Sequence, residues 1–250
     1  MKHEFTVHVW LDVKNTILGV SRQPFMRSVR GRAWTKQRLR LFRDFTLKSL
    51  LNQSDQEFRI FLFLDPDMKH LHDEFDLHPK VERIYDSGKR MYTRELTSDH
   101  VFIFRTDSDD LLHRRCIETM KDRAKYGVAR QCQVLHKVSQ WNMHHKFISD
   151  YRLPRSPFCA HTFPRKIYSA WDRIRAQQFM DYKTCPNTVE EKLVCIIRHG
   201  RNVTFPRIGK DMYSQKYYLE EMQKRNNIVK DRAKMIKILS DYGITEDQVK

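Results

Sequence analysis

The run Val101-Phe102-Ile103-Phe104-Arg105-Thr106-Asp107-Ser108-Asp109-Asp110 sets an apolar segment directly before three aspartates. Its first four residues predict a short buried strand. The carboxylates then stand at a strand's C-terminal end, the edge where open α/β sheets place their ligands. Clustered acidic side chains repel one another until something cationic joins them. A hard divalent ion such as Mg²⁺ or Mn²⁺ takes oxygen ligands and fills its shell with waters and substrate phosphates. The same residues also admit a plainer reading. Asp109 or Asp110 would then N-cap a helix predicted over 111–125, its carboxylate on the positive helix end. One aspartate can do both. An EF-hand is excluded, because the loop lacks the central glycine and the spaced ligands after it.

On either side of this run the pattern alternates. A strand is predicted over 5–11 and a basic loop over 19–33, with Pro24 and Gly31. Apolar residues at Leu39, Leu41, Phe42, Phe45, Leu47, Leu50 and Leu51 recur at helical spacing and predict a helix over 35–52. A second strand over 58–64 is stopped by Asp65-Pro66-Asp67, and a short third follows over 80–85. Strands alternating with helices indicate an α/β sheet with helices on both faces. The second half is less regular. Residues 127–138 look β-like, while 141–145 and 154–164 read as loops. Helices are predicted over 166–179 and 188–200, the latter ended by Gly200, with a short strand at 203–205. A charged stretch of helical spacing over 211–242 completes the chain. The expected organisation is one domain over 1–210 with a basic helical extension, 211–250, packed on it.

At 250 residues, 40% hydrophobic and 12% aromatic, the chain can bury a good core and is globular. No apolar segment approaches the roughly 18 residues that span a bilayer. The N-terminus runs into a strand and has no signal-peptide core, so a cytoplasmic location is expected, in a bacterial or phage-infected cell. The five cysteines are odd in number and lack CxxC spacing, which predicts reduced thiols and no zinc site. Net charge is +16, from 47 Lys and Arg against 31 Asp and Glu. That excess implies a polyanionic partner: nucleic acid, an acidic membrane surface met peripherally, or a phosphorylated glycan. One basic patch contains Arg27, Arg30, Arg32, Lys36 and Arg38, candidates for gripping such a partner; another spans 224–237. There is no Walker A motif and no GxGxxG, which counts against kinases and Rossmann dehydrogenases.

The order of these segments resembles a family. The helix with Lys36-Gln37-Arg38-Leu39-Arg40-Leu41-Phe42, then Asn52-Gln53, a strand ending in Asp65, Arg105-Thr106-Asp107-Ser108-Asp109-Asp110 and the later His199-Gly200-Arg201-Asn202-Val203 are similar to GT-A glycosyltransferases. Within them the likeness is to the rhamnosyltransferase-like group, over roughly residues 5–210. The resemblance implies a GT-A-like, Rossmann-related mixed sheet flanked by helices, a nucleotide-diphosphate sugar as donor, and Mn²⁺ or Mg²⁺. It implies Asp107, Asp109 and Asp110 as metal ligands, with Asp107 also near the ribose and His199 near the metal or diphosphate. Asp65 would meet the nucleobase edge. Asp12, Arg90 and Arg94 would contact the donor.

Chemistry supports the same roles. Breaking the glycosidic bond builds charge on the departing diphosphate, which a divalent ion and Arg or His donors stabilise. An inverting transferase also needs a carboxylate as general base. Glu190 and Glu191 are favoured over Asp150, Asp172 and Asp181, although either fits equally as a first-turn acid of the 188–200 helix. The acceptor is expected to be an envelope glycan or a hydroxylated base in DNA, which would have to be flipped out. The alternative from another class is a non-catalytic nucleic-acid-binding protein on the same scaffold. A metal-dependent nuclease or phosphatase is disfavoured, because no further closely spaced acid and histidine motifs are present.

Overall fold

Alternation of Phe5, Val7 and Val9 with Thr6 and His8 builds the first strand, β1 (His3–Trp10). All five side chains are buried, so β1 is covered on both faces, as expected of a central parallel strand. The computed structural model describes residues 3–11, 29–85, 98–124, 131–153, 158–164, 187–199 and 227–249. β1 pairs in parallel with β2 (Arg59–Leu64) on one side and β4 (His100–Asp107) on the other, and β2 pairs in parallel with β3 (Val81–Tyr85). Beyond β4 lie β9 (Cys159–Pro164), antiparallel to both its neighbours, then β6 (Gln131–Leu135) and β10 (Asn187–Val189). The result is a seven-stranded mixed sheet ordered β10-β6-β9-β4-β1-β2-β3. The α/β class expected from the alternation is therefore present.

A second sheet of four strands is ordered β5 (Asp110–Leu112), β11 (Val194–Arg198), β7 (Lys137–Asn142) and β8 (Phe147–Arg152). It corrects several expectations. The helix predicted over 188–200 is strand β10, a bend and strand β11. Its apolar run, Val194 to Ile197, is rich in β-branched residues and sits between β5 and β7. A short buried run of that kind satisfies strand and helix periodicity alike, and the branching favours the strand. The helix predicted from 111 begins only at Cys116 (α4, Cys116–Asp122; α1 to α3 are given below), because 110–112 pair with β11. Asp109 and Asp110 are accordingly not its N-cap, a position held by Arg115. The loop expected over 154–164 contains β9. Residues 29–33, expected in a basic loop, are already helical.

The long helix of the first half is α1 (Val29–Leu41), a π-helical turn over Phe42–Thr46, and α2 (Leu47–Leu51). Leu39, Phe42, Leu47 and Leu50 face Phe5, Val7, Val9, Ile60, Leu62, Phe102 and Phe104 in the main core, with Cys116, Ile117 and Met120 of α4. Polar residues then fix the register. Ser49 Oγ accepts the Leu112 N–H at 3.0 Å. The Gln53 amide donates to the carbonyls of Ser49 and His113, at 2.8 and 3.0 Å, and accepts the Ile117 N–H at 3.1 Å. After Asp65-Pro66-Asp67 comes the short α3 (Lys69–His72). Asp231 caps α5 (Arg232–Ser240), accepting the Lys234 N–H at 2.8 Å. Met235, Leu239, Tyr242 and Ile244 pack on Leu111, Trp141, Ile148 and Ile197 of the second sheet. The described part of the expected 211–242 helix is shorter than predicted: Val229 makes a β-bridge with Ile148. The predicted helix 166–179, the strand 203–205 and the start of the tail lie outside the described residues.

Cys116, Cys159 and Cys195 are buried free thiols, and burial raises the pKa of Cys116 and Cys195 well above the ordinary range. No described helix is long and apolar enough to cross a membrane.

Candidate active site

The chain changes sheets at the acidic run. Asp107 is the last residue of β4, Ser108 and Asp109 form a turn, and Asp110 opens β5, opposite Ile196 of β11. This turn brings one ligand atom from each of Asp107, Asp109 and Asp110 to within 4.8 Å of the others. Asp109 and Asp110 are buried, 5% and 4% exposed, while the Asp107 side chain is 42% exposed. The cluster therefore has one open side.

Two residues from distant parts of the chain close on it. His199, just past the end of β11, sets Nε2 3.0 Å from Asp109 Oδ2. Arg38 of α1 makes a buried ion pair with the same oxygen. The Arg38 guanidinium lies over the Trp34 ring, 5.6 Å from its centre, and Trp34 packs on Met68 and Leu71 beyond β2. Helix α1 thus lies along the C-terminal edge of the sheet and presents Thr35 and Arg38 on its buried face. At the same edge Trp10 stands opposite both Asp107 and Phe63 in register. It stacks on Phe63 with ring centres 5.0 Å apart, and Arg105 lies over it at 5.5 Å.

The electrostatics separate the three acids. Burial drives Asp110 well above the usual carboxylate range, and the charges of Asp109 and Asp107 push it further, against Arg38 and Arg198. Asp107 is also raised, first by burial and then by Asp109, with Arg105 opposing; its open side damps that shift. Burial pushes Asp109 up too, but the Arg38 charge and the His199 hydrogen bond outweigh it, and its pKa falls. Asp109 is thus the acid held ionised, and Asp110 the one that most needs a cation to ionise.

These residues fit a hard divalent ion. The donors are carboxylate oxygens on a partly open shell, the set that Mg²⁺ and Mn²⁺ take. In the same turn Ser108 Oγ is buried without a hydrogen-bond partner, and so is Thr35 Oγ1 on α1. Buried hydroxyls are normally satisfied, so these two, one in the acidic turn and one a helical turn from Arg38, have hydrogen-bonding capacity left for a polar ligand.

The other expected site residues fall in different places. Asp65 is buried at the end of β2, where Oδ1 accepts the Asp67 N–H at 3.0 Å and caps the turn that follows. Glu190 and Glu191 precede β11, at its opposite end from His199. Glu190 pairs with Lys137 at 2.7 Å and Glu191 with Arg123 at 2.5 Å, with side chains 52% and 47% exposed. The structure does not bring them to the cluster. Asp150 pairs with Lys192 at 2.5 Å. Lys36 is on the surface, paired with Glu74 at 2.7 Å, and Arg32 is exposed. Arg38, expected on the polyanion-binding surface, instead points inward to Asp109. Arg30 lies in α1. Asp12, Arg27, Arg90, Arg94, Asp172 and Asp181 lie outside the described residues.

Arg38 could have been placed from sequence. Gly31, Thr35, Arg38, Leu39 and Phe42 fall on one helical stripe, and all five are buried. Trp10 and Ser108 had no comparable signal.

No family model matches the chain, and none of the curated proteins compared with it matches. Among solved structures it is similar to 4-diphosphocytidyl-2C-methyl-D-erythritol synthase from Anaerococcus prevotii, at 12% identity and a TM-score of 0.38, over 90% of this chain and 97% of that one. It is similar to the inositol-1-phosphate CTP transferase from T. maritima at 11% identity and a TM-score of 0.38, over 88% and 96%. It is also similar to TarS 1–349 from S. aureus at 13% identity and a TM-score of 0.37, over 78% of this chain and 60% of that one. At these TM-scores the likeness assigns this chain no activity.

Proposed function

We propose that this protein is a metal-dependent glycosyltransferase that moves a sugar from a nucleotide-diphosphate sugar to a hydroxyl acceptor. One observation carries the reading: three carboxylates converge at the C-terminal end of the central strand β4, and His199 and Arg38 close on the middle one. Asp107, Asp109 and Asp110, with His199 beside them, would hold Mn²⁺ or Mg²⁺. The bound ion would supply charge neutralisation for the departing diphosphate. Asp110 would move from its raised pKa to the ionised form on meeting that charge. His199 orients Asp109 and stands near where negative charge develops. Asp65, at the end of β2, is proposed to meet the nucleobase, and Asp12, Arg90 and Arg94 to contact the donor. The resemblance to the rhamnosyltransferase-like group supports this set without fixing the sugar.

The acceptor is proposed to be polyanionic, either a phosphorylated envelope glycan or DNA with a hydroxylated base. The support is the +16 net charge, with Arg32 and Arg40 on the outer side of α1. Glu190 or Glu191 would serve as the base only for an acceptor reaching the N-terminal end of β11, and each would first leave its ion pair.

The test is donor hydrolysis. The protein is incubated with a panel of nucleotide sugars and Mn²⁺ or Mg²⁺, and release of nucleoside diphosphate is followed for wild type and Asp109→Asn. Metal-dependent release that is lost in the variant supports the reading. Silence with every donor, even with glycan or hydroxymethylated DNA added, overturns it. The same charge favours a second reading, a non-catalytic nucleic-acid binder. It requires duplex binding at low salt that Asp109→Asn leaves intact.

A further inference from the structure

Arg38 occupies the ligand position of its own site. Its guanidinium reaches Asp109 Oδ2 from α1, and His199 Nε2 reaches the same oxygen at 3.0 Å. A carboxylate oxygen offers about two lone-pair sites, so protein donors already fill Oδ2. A cation approaching Asp109 therefore competes with a cation that the fold supplies.

The pairing leaves Arg38 incomplete. Its Nε is buried and has no hydrogen-bond partner, although the residue is only 9% exposed. A guanidinium is a fork of five donors suited to planar or tetrahedral oxyanions, and a buried donor without an acceptor is costly. Thr35 Oγ1 lies one position short of a turn earlier on the same buried helix face and is also unpartnered, as is Ser108 Oγ in the acidic turn. Arg105 and Arg198 add positive charge around the cluster. Unsatisfied donors on a cationic wall fit an anion with several oxygens.

We propose that Arg38 is a two-position residue: it neutralises Asp109 in the empty site and turns onto the donor's diphosphate once that carboxylate is taken by a divalent cation. The Trp34 ring beneath the guanidinium supports both positions, since a cation–π contact holds the charge without fixing the direction of the fork. Cation and diphosphate then bind poorly alone and well together. The cation alone must displace Arg38, and the diphosphate alone finds Arg38 engaged. Such coupling is reciprocal. The inference rests on the glycosyltransferase reading only in its diphosphate part.

The test is binding rather than turnover. Mn²⁺ alone is titrated by the electron paramagnetic resonance of the free ion, and pyrophosphate is titrated calorimetrically in saturating Mg²⁺, for wild type, Arg38→Met and Arg38→Lys. Arg38→Met is expected to bind Mn²⁺ alone about tenfold tighter and pyrophosphate about tenfold more weakly, with Arg38→Lys between. A merely structural Arg38 would weaken both together, and that result, or no change in either, overturns the proposal. Should Arg38→Met fail to fold, the ¹⁵N resonance of Arg38 Nε in wild type, assigned by its loss in Arg38→Lys, is followed instead. It must shift when Mg²⁺ and pyrophosphate are added together, and a stationary signal overturns the proposal. Wild type that binds Mn²⁺ no better than Asp109→Asn overturns the donor reading as well, and is distinguished by that comparison.

Discussion

His199 Nε2 meets Asp109 Oδ2 at 3.0 Å across a separation of 90 residues. Strand β11 carries His199 to the site, and its pairing with β5 fixes the distance. A histidine that orients a metal-binding carboxylate typically changes metal affinity or activity by about 10–100-fold when removed. His199→Ala should therefore weaken Mn²⁺ binding by about tenfold or more. His199→Gln, which keeps a donor at similar reach, should recover part of it. Equal Mn²⁺ affinity in wild type and His199→Ala would show that the contact does not serve the metal.

Gln53 ties α2 to β5 and α4 through a buried amide that uses both its donor and its acceptor. Gln53→Leu keeps the bulk but strands the carbonyls and the Ile117 N–H. The expected loss is about 2–3 kcal/mol, or on the order of 5–10 °C in Tm for a chain of this size. A thermal melt checks it, and a shift under 1 °C would contradict the assignment.

His8 predicts an acid-sensitive fold. Burial among Phe61 and Phe63 lowers its pKa from 6.5 to about 3. Between those values the unfolded chain binds a proton that the folded chain refuses. Stability therefore falls as pH drops from 6.5 toward 3, by up to about 1.4 kcal/mol per pH unit, and His8 contributes no slope above 6.5. In His8→Phe this component should vanish. Urea unfolding of both proteins from pH 4 to pH 8 would show parallel curves if the assignment were wrong.

Gly243 ends the turn after α5 with φ at +74°, and an added Cβ would stand 2.9 Å from Asn52 Cβ and 3.1 Å from the Lys48 carbonyl oxygen. Both the backbone and the space oppose a side chain. Gly243→Ala should cost about 1–2 kcal/mol from the backbone alone, before the collision with α2. A Tm equal to wild type would mean that the C-terminal segment does not dock on α2.

The parallel part of the main sheet, β1 to β4, was legible because its strands announce themselves, whereas β9 reads as a loop and β10 as part of a helix. In β1, β2 and β4, apolar runs end in turn-forming or acidic residues, and the alternation with helices indicates parallel pairing. The second sheet was not legible. Val194 to Ile197 is as apolar as a buried helix turn, and only pairing with β5 and β7, far away in sequence, decides its state. The acidic cluster could be read from local sequence because its members are adjacent. Its partners are less local: the stripe of Gly31, Thr35, Arg38, Leu39 and Phe42 gives the burial of Arg38, the resemblance gives His199, and only the docking of α1 and β11 brings either to Asp109. The capping role expected of Asp109 or Asp110 failed for the same reason, since β5 intervenes before the helix.

Asp107 belongs to one sheet and Asp110 to the other, with a two-residue turn between. The main core nevertheless runs through both sheets, since Leu112, Val138, Val194 and Ile196 of the second join Phe5, Val7 and Phe104 of the first, and a smaller cluster lies under α5. The acidic turn is thus a crossing between the sheets as well as a site. Mutual repulsion of the carboxylates opposes that crossing, and any cation that they share relieves it. An ion bound there adds its binding free energy to a fold whose sheets already share a core, so loading the site raises the melting temperature of both together.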